Sequence, residues 1–395
     1  MINQLRLTNR LTRWLIAGGL AAAIALPASL HGLMEVGQGR LDVTLKAKGE
    51  HNSNVFANAN EIHDLLFTFT PSVEFSQATG LTNIDLRAGV DIIRFDSLGE
   101  QDTEDFFVGG SISYPNRPQG IRTQFHADAG WMEITSADEA LGERIESNRW
   151  HIETGVRSDY SDRLAIRGAF HYSERDYDLH RRFSHEDTLR LSADSVWIYS
   201  EKLETFLGYQ YREANTEGTA GREPINARDH RVTIGAEGEL QPKVTGGVSA
   251  GFQARRFRSS DRPSTTRPYF GAHVEWVPTE MSTLILDAEQ DFSNTPDDRS
   301  INTSTVALTL RQTIGDRMWI DPTVSYQRAR YPLSPTSTAT DPRRDNRTGF
   351  SIGLNAEFAH DITGRIGYSY LDSDSNRAFF DYERHLYEIS AAVRF

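Results

Sequence analysis

The sequence predicts an all-β protein, a transmembrane antiparallel β-barrel of about 18 strands, with 16 as the alternative count. Three observations predict this fold. Apolar and polar residues alternate along segments of about 10 to 12 residues, which is the length that a tilted strand needs to cross a bilayer. Short and long connections alternate between the segments, and aromatic residues lie near the segment ends. Outer-membrane barrels have short periplasmic turns, long external loops and aromatic girdles at both interfaces.

The N-terminal segment contains the only long apolar run of the chain. Arg6, Arg10 and Arg13 precede an apolar stretch over 14–26, and small residues follow Pro27. This order is typical of a secretory signal peptide, and the apolar run is too short to span a bilayer comfortably. We therefore predict a signal peptide over 1–28, a short periplasmic linker over 29–38 and an outer-membrane barrel over 39–395.

The composition argues against several classes of protein. The 395 residues include no cysteine, which rules out disulfides and an anchor attached to a thiol. The formal net charge of −13 argues against a nucleic-acid partner. A mean hydropathy of −0.51 is low for a helical membrane protein, but it is ordinary for a barrel whose strands alternate apolar and polar residues.

The alternation runs from Gly39 to the C-terminus. Successive side chains of a strand point to opposite faces, so each segment has one apolar and one polar face. We predict strands that begin near residues 40, 64, 83, 105, 121, 149, 163, 188, 202, 230, 244, 267, 282, 304, 317, 347, 362 and 385, with both termini on the periplasmic side. The longest predicted connections are 135–148, 214–228 and 332–347, and any of them could fold inward as a constriction.

The last predicted strand carries a candidate assembly signal. Tyr387, Ile389, Val393 and Phe395 share one face of this strand. A strand that ends in phenylalanine resembles the signal read by the β-barrel assembly machinery. Capture of an exposed strand edge by β-augmentation is a physical reason for such recognition.

No catalytic, cofactor or metal site is predicted, so we expect a protein that is not an enzyme. Residues 247–251 match the G-x-S-x-G pattern of hydrolases, but they lie within an alternating strand and no helix is predicted after them. Residues 372–383 resemble a calcium loop in the spacing of their oxygen ligands, but Arg377 stands where the loop needs glycine. Arg343 and Arg344 are interpreted as solvated loop charges.

The polar face is predicted to line a water-filled lumen, where charged side chains set selectivity. It mixes both signs of charge, which suits a polar, weakly charged polymer or small polar solutes. The candidate lumen-lining residues are Arg87, Asp91, Arg122, Asp128, Arg157, Arg167, Arg231, Glu237, Arg255, Glu275, Glu289, Glu357 and Arg365.

A family resemblance enters near the N-terminus of the predicted barrel. Asn52-Ser53-Asn54-Val55-Phe56, then Asp64 and the strand over 68–73, resemble the opening of the putative β-barrel porin 2 family, which commonly has aspartate where Asn52 stands. The resemblance implies an outer-membrane conduit for exopolysaccharide, working with a periplasmic polysaccharide export protein.

The leading hypothesis is therefore a secretion porin in the outer membrane of a Gram-negative cell, in contact with lipid and lipopolysaccharide. One alternative is a general or substrate-specific diffusion porin for small polar solutes, for which an inward-folded loop would be the distinguishing feature. An alternative of another class is a surface receptor or adhesin barrel.

Overall fold

A computed structural model describes residues 34–115, 121–178, 183–219, 224–259, 262–332, 341–359 and 361–395. The predicted signal peptide over 1–28 lies outside the described residues, as does most of the predicted linker. Met34–Val36, the described part of that linker before its turn, forms a short strand that pairs with the start of the next one. No helix among the described residues has the length and apolar character to cross a membrane.

The described residues form a 20-stranded antiparallel sheet. The short first strand pairs only with the second, and Met318–Ile320 and Thr323–Tyr331 share one position between the same two neighbours. The sheet closes where the second strand pairs with the last, which confirms the prediction of an 18-stranded barrel. The strands are β1 Met34–Val36, β2 Gly39–Asn52, β3 Asp64–Thr79, β4 Thr82–Phe95, β5 Thr103–Tyr114, β6 Thr123–Asp138, β7 Glu143–Ser161, β8 Leu164–Tyr177, β9 Glu186–Ser200, β10 Leu203–Thr216, β11 Asn226–Gln241, β12 Val244–Phe257, β13 Thr265–Thr279, β14 Ser282–Asn294, β15 Ser300–Thr313, β16 Met318–Ile320, β17 Thr323–Tyr331, β18 Arg343–Ala359, β19 Ile362–Ser375 and β20 Tyr382–Arg394.

Several strands are longer than predicted, because they continue past the expected apolar belt as polar strands. The prediction of a long loop over 135–148 is wrong, because β6 runs to Asp138 and β7 begins at Glu143. In the same way β10 extends to Thr216, and β18 begins at Arg343. Charged side chains in these segments gave them the composition of loops, whereas backbone pairing continues through them.

The two faces of the barrel wall differ in polarity. Cross-strand partners such as Leu207 and Ile234, or Leu354 and Ile366, put exposed apolar side chains on one face, because paired residues point to the same side. The opposite face carries ion pairs that skip strands. Arg157 of β7 donates to Glu204 of β10 over 2.7 Å, past β8 and β9. Such a contact is possible only through the interior, so this polar face is the inner face.

The connections distinguish the two ends of the barrel. One end, here the turn end, holds both termini of the described chain and two-residue turns such as 162–163, 201–202 and 242–243. The other end, the loop end, holds longer connections such as 53–63, 178–185 and 217–225. Exposed aromatics including Tyr160 and Phe358 lie at the turn end, where an interfacial girdle belongs.

Leu354→Arg tests the assignment of faces. Leu354 lies on the outer face, paired with Ile366 and Ile320. We expect the substitution to destabilise the inserted barrel by roughly 2–4 kcal/mol if the residue lies near mid-membrane, because an arginine there faces lipid. The measurement is the amount of folded protein in the outer membrane, by heat-modifiable gel mobility. Ser351→Arg, on the inner face of the same strand, is the control; equal yields from the two variants would contradict the assignment.

Candidate functional site

Two hairpins leave the wall at the loop end and fold into the interior. β6 pairs with β5 only between Phe125 and Met132, while β6 and β7 stay paired up to Asp138 and Glu143. β14 separates from β13 after Glu289 in the same way and stays paired with β15. We call residues 133–148 the β6–β7 tip and residues 290–304 the β14–β15 tip. Each tip keeps the backbone pairing between its own two strands, but along one side it loses backbone pairing with the neighbouring wall strand.

The β6–β7 tip reaches the far wall of the barrel. Arg343 Nη1 of β18 donates to the carbonyl of Ala140 over 2.6 Å, and Arg347 Nη1 lies 2.9 Å from Glu139 Oε2. Arg384 of β20 lies 3.6 Å from the other oxygen of Glu139. Around the barrel, β18 is separated from β6 by β2 to β5 and by β19 and β20. These contacts therefore span the interior and hold the tip across it.

Asp345 organises the arginines that hold this tip. It is fully buried and accepts hydrogen bonds from Arg343 Nε at 3.0 Å and from Ser375 Oγ at 2.7 Å. Arg347 Nη2 lies 3.4 Å from the same carboxylate. The interpretation of Arg343 as a solvated loop charge is wrong: its side chain is 4% exposed and its guanidinium lies 3.3 Å from the centre of the Phe380 ring. Burial with a carboxylate and an aromatic ring is how a guanidinium leaves water without losing its partners.

Asn54 of the family motif and Asn58, two residues after the motif, form a seat for the β6–β7 tip. Asn54 Nδ2 donates to the carbonyl of Asn58 over 2.8 Å, and Asn58 Nδ2 donates to the carbonyl of Gly142 over 2.6 Å. Gly142 has a φ of +70°, and a Cβ there would lie 2.6 Å from the ring of Phe379. Asn54 and Asn58 thus fold the β2–β3 loop into a seat that accepts glycine at the end of the tip.

The β14–β15 tip meets the β8–β9 loop. The backbone N–H of Ser184 donates to the carbonyl of Pro296 over 2.9 Å, and Asn294 Nδ2 donates to Glu186 Oε1 over 2.9 Å. The residue before Ser184 belongs to an apolar cluster with Ile145 and Tyr177, against which Leu141 of the other tip packs. One loop therefore contacts both tips, and the three segments pack together across the loop end of the barrel.

A buried arginine–aspartate cluster lies beneath the β14–β15 tip. We give this name to Arg212, Asp229, Arg231, Arg255 and Asp291. Asp229 accepts from Arg255 Nε at 2.8 Å and from Arg212 Nε at 2.7 Å. Asp291 lies 3.1 Å from Arg212 Nη1 and 2.6 Å from Arg231 Nη2. The cluster joins β10, β11 and β12 of the wall to β14, so it anchors the tip by charge pairing.

Within the part of the barrel that the structure describes, the interior toward the turn end is open, and we call this region the vestibule. The side chains of Asp128, Glu153 and Asp287 on the inner face are 49%, 47% and 54% exposed. A cavity of about 650 Å³ lies against the wall there and includes Arg87 and His151 in its lining. Water and polar solutes therefore have access from the turn end, while the loop end is packed.

The predicted lumen-lining residues fall into three groups. Six of them have polar partners: Arg157 pairs with Glu204, Arg167 with Asp194 and with the predicted Glu237, Arg365 with Asp321, Asp128 with His151, and Asp91 with Thr70. Arg231 and Arg255 belong to the arginine–aspartate cluster. The other five are Arg87, Glu289 and Glu357, which are exposed on the inner face, Glu275, which is half-buried, and Arg122, which precedes β6 at the turn end.

Sequence reasoning missed the residues that hold the tips. Asp229, Asp291, Glu139, Asp345 and Arg347 were not among the candidates. A signal was available, since Arg343, Asp345 and Arg347 recur at every second position, which is the spacing of one strand face. The spacing could have placed them on one face, but it could not have shown that this face meets a hairpin from across the barrel.

The C-terminal residues lie at the seam of the barrel. Tyr387 and Ile389 are exposed on the outer face, whereas Val393, which has the same orientation in the strand, is buried. Phe395 exchanges backbone hydrogen bonds with Val43 of β2, at 2.8 and 3.2 Å. Recognition of these residues by the β-barrel assembly machinery stays a prediction. The last residue of the chain helps to close the barrel.

The two motifs considered for chemistry lie in strands. Residues 247–251 lie within β12, and the first part of the calcium-like segment, 372–375, is the end of β19. Among the described residues, no group of three or more histidine, aspartate and glutamate side chains is arranged to hold a metal ion.

The β14–β15 tip carries a carboxyl group that should respond to pH. Burial raises the pKa of Asp298 above its usual 3.8, with partial offset by the hydroxyl groups of Thr216 and Ser184. A raised pKa means that the folded tip binds a proton more tightly than the unfolded one, so its stability falls as the pH rises from 3.8 through the raised value. We expect the tip to be held most firmly at acidic pH. If the tip closes the barrel, conductance in a planar bilayer should then fall on acidification, and Asp298→Asn should weaken this dependence. An unchanged pH dependence of conductance in Asp298→Asn would contradict the prediction.

Comparison with known proteins finds one family model that matches part of the chain. The family model described as putative beta-barrel porin 2 matches residues 220–395. This match confirms the resemblance, which was predicted from residues near the other end of the chain. No curated protein matches the chain. The barrel fold and the family match indicate an outer-membrane location.

Solved structures with a similar fold include a siderophore receptor and a ferric-catecholate import receptor. The siderophore receptor PirA from Pseudomonas aeruginosa is 10% identical, with 92% of this chain and 82% of that chain covered and a TM-score of 0.46. The ferric-catecholate import receptor Fiu from E. coli K12, in its open form, is 10% identical, with 89% and 81% covered and a TM-score of 0.44. Similarity at this level carries no argument about what the present chain binds.

Proposed function

We propose that this outer-membrane porin is a passage for exopolysaccharide whose loop end is closed at rest by two inward-folded hairpins. The match of residues 220–395 to the porin family supplies the premise of a transport barrel. The observation that carries the proposal is the contrast between the two ends of the interior. The vestibule is open and charged, whereas the loop end is packed with the tips and the groups that hold them.

The closure is built from contacts that can open and close. The β6–β7 tip is held by ion pairs and hydrogen bonds from Arg343, Arg347 and Asn58, and the sequence has no cysteine that could lock it covalently. Along one side, both tips lack backbone pairing with the wall and are joined to it by side chains. A hairpin that keeps its own ladder can move as a unit, so opening requires no rearrangement of the rest of the barrel.

A polar polymer is the cargo that best suits the interior. Acidic and basic side chains alternate along the inner face, as in the pairs of Arg157 with Glu204 and of Arg365 with Asp321. Paired charges of both signs give little net preference for an ion, and they offer donors and acceptors for hydroxyl groups. The polysaccharide itself comes from the family resemblance. A periplasmic polysaccharide export protein would deliver it at the turn end.

The test is single-channel conductance of the refolded protein in a planar bilayer, with neutral oligosaccharides of graded length as blockers. We expect mostly closed channels with rare large openings. Long oligosaccharides added on the turn-end side should reduce the open current more than short ones do. Large openings that are insensitive to long oligosaccharides would refute the polysaccharide passage.

The inward tips also favour a second candidate, a diffusion porin for small polar solutes. In such a porin the tips would narrow a permanently open pore. The same recordings separate the two, because a narrow pore gives steady small currents that are blocked by short sugars only. The receptor or adhesin alternative stays a prediction from the sequence.

A further inference from the structure

A basic pocket opens on the outer face of the barrel at the loop end, where the β14–β15 tip leaves β13. Its volume is about 380 Å³. Arg267 of β13 and Arg328 and Arg330 of β17 contribute its positive charge, and Val306 and Tyr326 contribute an apolar side. The pocket is separate from the vestibule, because Val306 and Tyr326 belong to the outer face.

The positive charge of this pocket is not balanced by the described protein. Arg330 lies directly opposite Arg344 in the pairing of β17 with β18, and like charges directly opposite each other are destabilising. Among the described residues, no carboxylate forms an ion pair with Arg328, Arg330 or Arg344. The Nε of Arg328 is buried with no hydrogen-bond partner there. These groups are therefore arranged for an anion that the described chain does not supply.

A similar pair elsewhere on the outer face is balanced. Arg228 lies opposite Arg256 in the pairing of β11 with β12, but Glu213 Oε1 lies 3.4 Å from Arg228 Nη2. The contrast argues that a basic outer face alone does not indicate an anion-binding site. What indicates one is a pair of opposed arginines that lack a carboxylate partner and lie next to a cavity that can hold a ligand.

The position of the pocket identifies the kind of anion. Val306 and Tyr326 are 40% and 45% exposed and continue the apolar belt that faces lipid. The pocket therefore lies where the belt gives way to charged side chains, at the depth of lipid headgroups. Arginine binds phosphate by two parallel charge-assisted hydrogen bonds, and two or more arginines around one cavity favour a phosphate group over a carboxylate of lower charge.

We infer that this pocket binds the phosphorylated headgroup of a membrane lipid, with acyl chains lying along Val306 and Tyr326. A lipid suits the site better than free phosphate because the apolar side of the pocket is continuous with the lipid-facing belt. The inference does not depend on what passes through the barrel. In a membrane whose outer leaflet carries phosphorylated glycolipid, the ligand would be that glycolipid.

The test is native mass spectrometry of the refolded full chain in detergent, titrated with phosphorylated lipid A and with dephosphorylated lipid A. We expect wild type to retain the phosphorylated lipid and to bind the dephosphorylated one at least about tenfold more weakly, since the charge-assisted bonds are lost. Arg328→Gln with Arg330→Gln should weaken binding of the phosphorylated lipid by a similar factor. Millimolar inorganic phosphate should not displace it.

Arg228→Gln is the matched control, because Arg228 is exposed on the same face and end but has Glu213 as partner. Heat-modifiable gel mobility establishes that each variant is folded, and single Arg330→Gln replaces the double variant if the latter fails to fold. Equal binding by wild type and the arginine variant, or equal binding of both lipids, would overturn the inference. Displacement by inorganic phosphate would overturn the assignment to a lipid.

Discussion

Asp229→Asn is expected to destabilise the barrel by roughly 3–5 kcal/mol, the range for breaking a buried ion pair from one side. Asp229 is buried and accepts hydrogen bonds from both Arg212 and Arg255. With asparagine, the two guanidinium groups keep their charge inside the loop end and lose the carboxylate that offsets it. Arg212 would retain Asp291, but Arg255 would be left with neutral partners, such as Ser300 and Asn294. The measurement is the urea midpoint of unfolding of the refolded protein, followed by heat-modifiable mobility.

Asp287→Asn is the control for this measurement. Asp287 also lies on the inner face, but its side chain is half-exposed and pairs with His273 over 2.6 Å. Exposed ion pairs contribute at most about 1 kcal/mol, so the midpoint should hardly move. Equal shifts in the two variants would mean that water reaches the arginine–aspartate cluster and that the cluster does not anchor the β14–β15 tip.

Releasing the β6–β7 tip is expected to open the channel. In the triple variant Arg343→Gln, Asp345→Asn and Arg347→Gln, the tip loses its charge-assisted hydrogen bonds to β18. Such bonds contribute roughly 1.5–3 kcal/mol each, so the open fraction should rise about tenfold or more. Neutralising Asp345 together with the arginines avoids leaving a buried carboxylate without partners, which keeps the barrel itself folded. The readout is open probability in planar bilayers.

Arg344→Gln controls for this variant, because Arg344 lies between the replaced residues on the opposite face of β18. Its open probability should match wild type. A folded triple variant that stays closed would show that the tip is held by the β2–β3 loop and by the apolar cluster around Tyr177. Its combination with Asn58→Ala, which removes the donor to Gly142, would then be the variant to record.

The path of the wall could be predicted from the sequence because alternation is a local property. β12 and β19 begin at Val244 and Ile362, where the pattern predicted strands near 244 and 362. β7 is the largest difference, with a predicted start near 149 and an observed one at Glu143. There the strand continues through the polar segment of the β6–β7 tip, where a belt of apolar residues no longer marks it.

The closure of the loop end could not be predicted, because it depends on contacts between distant parts of the chain. Arg343 and Ala140, or Asn58 and Gly142, are far apart in sequence, and nothing local distinguishes a hairpin that follows the wall from one that leaves it. Period-two alternation is the same in both cases. The charges of the interior were recognised where they occur within apolar strands, as at Arg231 and Arg255, and missed where polar residues occupy both faces.

The seat formed by Asn54 and Asn58 has a consequence for how related chains are recognised. These asparagines bond to the backbone of the β2–β3 loop and of the β6–β7 tip, and neither is among the side chains that line the vestibule cavity. A search by the motif at 52–56 therefore selects for Asn54, which shapes this loop, and it does not select for the vestibule residues that a cargo would contact. Two chains that share the motif therefore need not carry the same polymer. To predict whether two chains carry the same cargo, the residues that line the vestibule would have to be aligned and compared position by position.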